Sequence, residues 1–291
     1  MSARSVELPD GRRLAVHEGG DPTGRIVVYH HGTPSDGSLY RPWIEDAKRR
    51  GIRLVGYDRP GYGGSTRRPG RRVVDAVRDV EAIVEALGGG PYATWGVSGG
   101  APHALACAAA SADGLVAAAS LAAPAPYGAE GLDWLDGMGD ANVAEFGASL
   151  EGESKLRPLL DRVPGGIARR GARAHAGRDV VGALRGRLCG RLGRAGRVPP
   201  RDDQRRSRAE RRRVARRRSR LRRRPGFELG ELPTPTLLLQ GQQDLMVPPA
   251  HFRWLEGRLP SVEARFADNE GHLTLIERVI PAVHEWLLRF F

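Results

Sequence analysis

The chain lacks most of the features that mark a secreted or membrane protein. It has two cysteines, Cys107 and Cys189, in 291 residues. Two are too few for a disulfide framework and suit a reducing compartment. No apolar window approaches the roughly 18 residues that a membrane-spanning helix needs. The opening MSARSVELPDGRRLAVHEGG holds no apolar run of signal-peptide length. These absences predict a cytoplasmic protein. Hydrophobic residues make up 40% of the chain, which is low for a globular protein yet too high for disorder throughout. The length allows one large core or two small ones.

Charge is distributed very unevenly. Of the 46 Lys and Arg residues, 24 are arginines between Arg162 and Arg224, against four acids, Asp179, Asp202, Asp203 and Glu210. The remainder of the chain is mildly acidic, so the pI near 10.7 describes one segment. Residues 162–224 contain no Trp, Tyr or Phe and consist mainly of Arg, Gly, Ala and Pro. A genuine basic arm would bind phosphates, RNA or an anionic membrane with steep salt dependence. It would do so without aromatics for base stacking. GC-rich coding DNA read out of frame yields the same four residues, and the segment begins and ends abruptly. Compensating frame slips are therefore the preferred explanation, with the basic arm as the rival. Either way the segment has little apolar area to offset its ordering entropy, and poor packing is expected.

Elsewhere strand and helix signals alternate. RSVELPDGRRLAVHE turns at Asp10-Gly11 and reads as a hairpin. RIVVYHHG, IRLVGYDRPG, YATWGV, LVAAASLAAP, TPTLLLQG and VEARFAD read as short buried strands. LYRPWIEDAKRRG, residues 73–87, APHALACAAASADG, PAHFRWLEGRL and the terminal LIERVIPAVHEWLLRFF read as helices, as does the stretch 131–161. Such alternation with short connections predicts an α/β fold. Its sheet would be mostly parallel, with helices on both faces.

The chemistry-bearing residues cluster at the ends of those strands. WGVSGGAPHALA places Ser98 between glycines, after a strand and before a helix. This is the context in which G-x-S-x-G forms a sharp elbow that presents a nucleophile. A serine hydroxyl needs a base, and DNEGHLTL offers His272 between the last strand and the last helix. The imidazole needs an anion to fix its tautomer, and GQQDLMVP offers Asp244 directly after an apolar strand. Asp268, four residues before His272, is the rival but would need an unusual loop. His17 and His284 lie in the first hairpin and the last helix. His103 is one turn beyond Ser98 and is read as helix packing before pocket lining, and His30 and His31 as shaping a loop. Asp58, Arg59 and Ser65 are read as loop braces, and Cys107 as a small core residue.

HHGTP, DRPGYGGS, GVSGG, GQQD and GHLTL, each after a strand and in this order, resemble the α/β-hydrolase superfamily across residues 1–126 and 232–291. The resemblance implies an α/β-hydrolase core with a cap inserted over 127–231. It implies a Ser98, Asp244, His272 triad and an oxyanion hole formed by the N–H groups of Thr33 and Gly99. His31, His103, Trp134 and Met246 are candidate pocket residues. It implies no metal and no organic cofactor. The expected reaction is acyl transfer to water, with a small ester or related acyl compound as substrate. A serine at the elbow argues against haloalkane dehalogenases and epoxide hydrolases, which use aspartate there. The alternatives are a proline-iminopeptidase-like enzyme and a basic nucleic-acid- or membrane-binding protein on an inactive scaffold. HGTPSDG departs from the HGGPG-like loop of proline iminopeptidases. Such an enzyme would also need cap acids to hold an amine, and Glu130, Asp133, Asp136, Asp140 and Glu145 are available.

Overall fold

The computed structural model describes residues 2–152, 154–156, 158, 226–230 and 232–291. The Arg-rich segment, Cys189 and the larger part of the expected cap lie outside the described residues. Eight strands form one sheet in the order β1-β2-β4-β3-β5-β6-β7-β8. The strands are β1 (Ser2–Glu7), β2 (Arg13–Gly20), β3 (Arg25–His30), β4 (Ile52–Tyr57), β5 (Tyr92–Val97), β6 (Leu115–Leu121), β7 (Thr236–Gly241) and β8 (Glu263–Ala267). β2 runs antiparallel to both β1 and β4, and every other pairing is parallel. The Asp10-Gly11 hairpin forms as expected, with Gly11 at φ 79.

The central strands read as unbroken apolar runs because both their faces are covered. On β3, Val27 and Tyr29 pack with Trp43 of α1 (Arg41–Arg49), Trp95 of β5 and Trp286 of α6 (His272–Leu287). The alternate residues Ile26 and Val28 face Val80 and Ile83 of α2 (Ala76–Ala86) on the other side. Cys107 of α3 (Ala101–Ala109) is buried in that second layer, as the sequence predicts. A third cluster joins Leu105 of α3 and Leu238 of β7 to Phe252 and Leu255 of α5 (Pro249–Glu256). Between β6 and β7 the chain carries an inserted cap helix, α4 (Asp140–Glu151).

Two expectations need correction. The helix expected from residue 131 begins only at Asp140, because Gly131 and Gly137 take φ values of 79 and 76, outside the helical range. Trp134 and Met138, within that non-helical stretch, are buried all the same. His272, expected on a loop, is the first residue of α6.

Candidate active site

The parallel strands all point their carboxyl ends to one rim of the sheet, which is where ligands of such folds bind. Among the chain segments that meet there are those after β3, β4, β5, β7 and β8. Neighbouring strands lie about 4.8 Å apart, so β5 and β7, separated by β6, are about 10 Å apart.

Ser98 follows β5 at once, with φ +53. A non-glycine residue rarely adopts this left-handed conformation, and it persists only where the surroundings enforce it. Those surroundings are tight. A Cβ on Gly96 would come within 2.5 Å of the Gly100 carbonyl oxygen, and one on Gly100 would meet the carbonyls of His30 and His31. The turn therefore closes only with glycine at both positions. One 3-10 turn, Ser98–Gly100, then leads into α3, whose Pro102 sits in the first turn. Thr33 faces this elbow from the loop after β3. A Cβ on Gly99 would lie 2.6 Å from Thr33 Oγ1 and 3.3 Å from Thr33 N.

Asp244 is buried after β7, and its carboxylate is fully engaged. Oδ1 accepts the N–H groups of Met246 and Val247, each at 2.8 Å. Oδ2 accepts Gln240 Nε2 at 3.0 Å and His272 Nδ1 at 2.7 Å. The Asp244–His272 pair is 28 positions apart in sequence and buried on both sides. With Nδ1 committed to Asp244, Nε2 is the ring nitrogen left for proton transfer. Asp268 is exposed and is not the partner of His272. Among the described residues, no hydrogen bond joins Ser98 Oγ to His272.

The other expected residues fall in two places. His31 is buried, donates from Nδ1 to the Gly32 carbonyl at 2.9 Å and accepts the Arg59 N–H on Nε2 at 3.0 Å. Both nitrogens are thus spent on bracing the loop. His103 is buried against His30, with ring centroids 5.9 Å apart, and accepts from Arg71 at 3.2 Å. Burial, and secondarily the charge of Arg59, lowers the pKa of His31 and of His103, and holds His30 at about 3. Trp134 is packed among Tyr127, Phe146 and His251, and its indole donates to the Ala125 carbonyl at 2.7 Å. Met246 belongs to the acid loop, where its carbonyl accepts Asn142 Nδ2 of α4 at 2.9 Å. Asp58 braces loops as expected, accepting the N–H groups of Gly37 and Gly64 and a bond from His17. Ser65 Oγ donates to the Asp58 carbonyl and accepts the Ala15 N–H.

Two contributors went unnoticed in the sequence. Gln240 supports Asp244 from the end of β7, and a polar residue closing the run TLLLQ is the available signal. His251 of α5 accepts the Ala125 N–H and donates to the Trp134 carbonyl, tying the cap's root to the core. Nothing local to PAHFRW marks that role. Among the described residues no group of three or more His, Cys, Asp or Glu could hold a metal ion. Nor is any described helix long and apolar enough to cross a membrane.

An eight-stranded, mostly parallel sheet with a strained serine at one strand end and a buried Asp–His pair at two others defines the α/β-hydrolase class. The family model for the alpha/beta hydrolase fold matches residues 25–279, and the chain belongs to that family. No curated protein matches the chain in sequence. Among solved structures it is similar to a thermophilic esterase from Thermogutta terrifontis, at 20% identity and TM-score 0.62, covering 100% of this chain and 99% of that one. It is similar to an esterase from Rhodococcus at 20% identity and TM-score 0.62, covering 100% of both chains. An enol-lactonase from Burkholderia xenovorans matches at 17% identity and TM-score 0.59, over 99% and 100% of the chains. At these identities the likeness speaks for the fold.

Proposed function

We propose that the protein is a serine hydrolase that cleaves a small ester or related acyl compound through an acyl-enzyme. The observation that carries this reading is the buried His272–Asp244 pair, on the same rim as a serine held at φ +53. Ser98 Oγ attacks the acyl carbonyl carbon while His272 Nε2 takes the hydroxyl proton. The N–H groups of Thr33 and Gly99 hold the resulting oxyanion. Collapse of the tetrahedral species breaks the bond to the leaving group, which receives the proton from Nε2. Water, deprotonated by the same nitrogen, then attacks the acyl-enzyme and releases the acid. Asp244 orients the imidazole and stabilises its charged form. The residues present call for no metal or organic cofactor. A cytoplasmic setting is part of this reading and rests on the scarcity of cysteine.

A peptidase acting on an N-terminal amine is the second reading. Burial raises the pKa of Glu145 in the cap helix. It lies three residues from Asn142, which reaches the Met246 carbonyl. Labelling by a fluorophosphonate, compared between the native chain and Ser98→Ala, tests the serine mechanism. Labelling is expected in the native chain alone, and equal labelling of both refutes it. Turnover of p-nitrophenyl acetate against a prolyl anilide then separates esterase from peptidase.

A further inference from the structure

Arg59 is a charged residue for which the described residues offer no counter-ion. It directly follows β4 and Asp58, and only 3% of its surface is exposed. Among the described residues no carboxylate pairs with its guanidinium, and its Nε has no partner at all. The adjacent Asp58 turns away to His17, Gly37 and Gly64. Burial pushes the Arg59 pKa below its ordinary value, as an uncompensated charge requires. The neighbouring His30, His31 and His103 are held neutral, burial first and the Arg59 charge next. Burying a cation this deeply opposes folding unless a counter-charge accompanies it.

What the side chain touches is informative. Nη1 donates to the Gly99 carbonyl at 3.2 Å, and Nη2 to Thr33 Oγ1 at 3.1 Å. The Arg59 N–H donates to His31, whose far nitrogen bonds the Gly32 carbonyl. Tyr62 covers the guanidinium at 4.8 Å and places its hydroxyl 3.2 Å from Thr33 Oγ1. One guanidinium thus bridges the loop after β3 and the elbow after β5, at the two residues whose N–H groups would meet the oxyanion.

We propose that Arg59 is a positioning residue for the acyl-transfer reaction: its planar fork fixes Thr33 and Gly99 relative to each other, and its charge favours the oxyanion between them. This rests on the serine-hydrolase reading above. Lysine could keep the charge but would lose the two-pronged grip.

The test measures Arg59→Met, Arg59→Lys and Thr33→Val with p-nitrophenyl acetate, counting active sites by fluorophosphonate titration so that misfolded molecules drop out. Arg59→Met is expected to lower kcat per titrated site about 10- to 100-fold with KM within about twofold, because the oxyanion is absent from the bound ground state and develops only on the way to the tetrahedral species. Arg59→Lys is expected to fall between Arg59→Met and the native enzyme, and it decides the matter alone if Arg59→Met does not fold. Combining Arg59→Met with Thr33→Val should cost less than the product of the two separate losses, since both break one bridge. If kcat per titrated site stays within about twofold of native in the Arg59 variants, or the loss lies wholly in KM, the proposal is overturned. If the native chain takes no label, or Ser98→Ala labels equally, the serine-hydrolase reading has failed and the proposal falls with it. The two failures are thereby told apart.

Discussion

Gln240 and His272 donate to the same oxygen of Asp244, at 3.0 and 2.7 Å. The amide nitrogen of Gln240 also donates to the Val247 carbonyl at 2.9 Å, so this side chain stitches the acid loop to the end of β7. Gln240→Leu removes a competing donor from Asp244 Oδ2 and leaves the buried Val247 carbonyl without it. The substitution should lower stability by about 1–3 kcal/mol, the cost of leaving a buried polar group unsatisfied. It should also loosen the carboxylate that orients the His272 ring, and so lower kcat per titrated site. Urea denaturation and kcat per titrated site read the two effects, and an unchanged kcat would show that Gln240 acts on the loop alone.

His17 and Asp58 link the first hairpin to the loop after β4 at 3.0 Å. Burial opposes charge on His17, but the bond and attraction from Asp58 outweigh it, and its pKa rises above the ordinary 6.5. For Asp58 burial acts upward, yet His17 and the Gly64 and Gly37 N–H groups hold it below 3.8. A raised histidine contributes fully below 6.5 and loses that contribution as pH climbs through its folded value. A depressed aspartate contributes above 3.8 and loses it as pH falls through its own. The pair is therefore strongest between these limits. The stability difference between the native chain and His17→Gln should peak at about pH 5–6 and shrink toward about pH 9. A difference that stays flat over that range contradicts the pairing.

His251 carries the opposite sign. Burial lowers its pKa below 6.5, because its Nδ1 must stay unprotonated to accept the Ala125 N–H while Nε2 donates to Trp134. Its contribution is complete above about 6.5 and is lost as pH falls from there through its folded value. His251→Leu orphans one buried N–H and one buried carbonyl at the cap's root, and about 2–5 kcal/mol of stability should disappear at pH 8. A loss below about 1 kcal/mol would mean that water or a rearranged Trp134 replaces both bonds.

The contrast between Ser98 and Arg59 shows how far the sequence could be read. Ser98, Asp244 and His272 stand in a chain order and strand context that few other arrangements share, so their positions on one rim followed from the alternation of strands and helices. The buried strands were equally legible, since Val27, Tyr29 and their alternates are all apolar. Arg59 is legible in the sequence as a loop brace but not as a buried charge, because its burial depends on three segments converging, after β3, β4 and β5. His251 bonds partners 126 and 117 positions away, and no local pattern carries such a distance. The stretch at 131–139 reads as helical from its apolar residues, while the positive φ of Gly131 and Gly137 keeps it out of the helix.

Two glycines with opposite surroundings make the last prediction. Gly147 lies inside α4 without a positive φ, and nothing stands within 4 Å of where a methyl group would project. Alanine there narrows the unfolded ensemble and suits the helix, so Gly147→Ala should add about 0.5–1 kcal/mol to stability with activity unchanged. Gly100 is the reverse case. A Cβ would press on the carbonyls of both His30 and His31, which are backbone atoms in the loop leading to Thr33. That loop can yield only by shifting away from the elbow, which would separate Thr33 from Gly99. Gly100→Ala should therefore abolish fluorophosphonate labelling even in whatever fraction remains folded, while Gly147→Ala labels at the native rate. Native-rate labelling of Gly100→Ala would mean that the elbow tolerates a wider approach to β3 than its geometry implies.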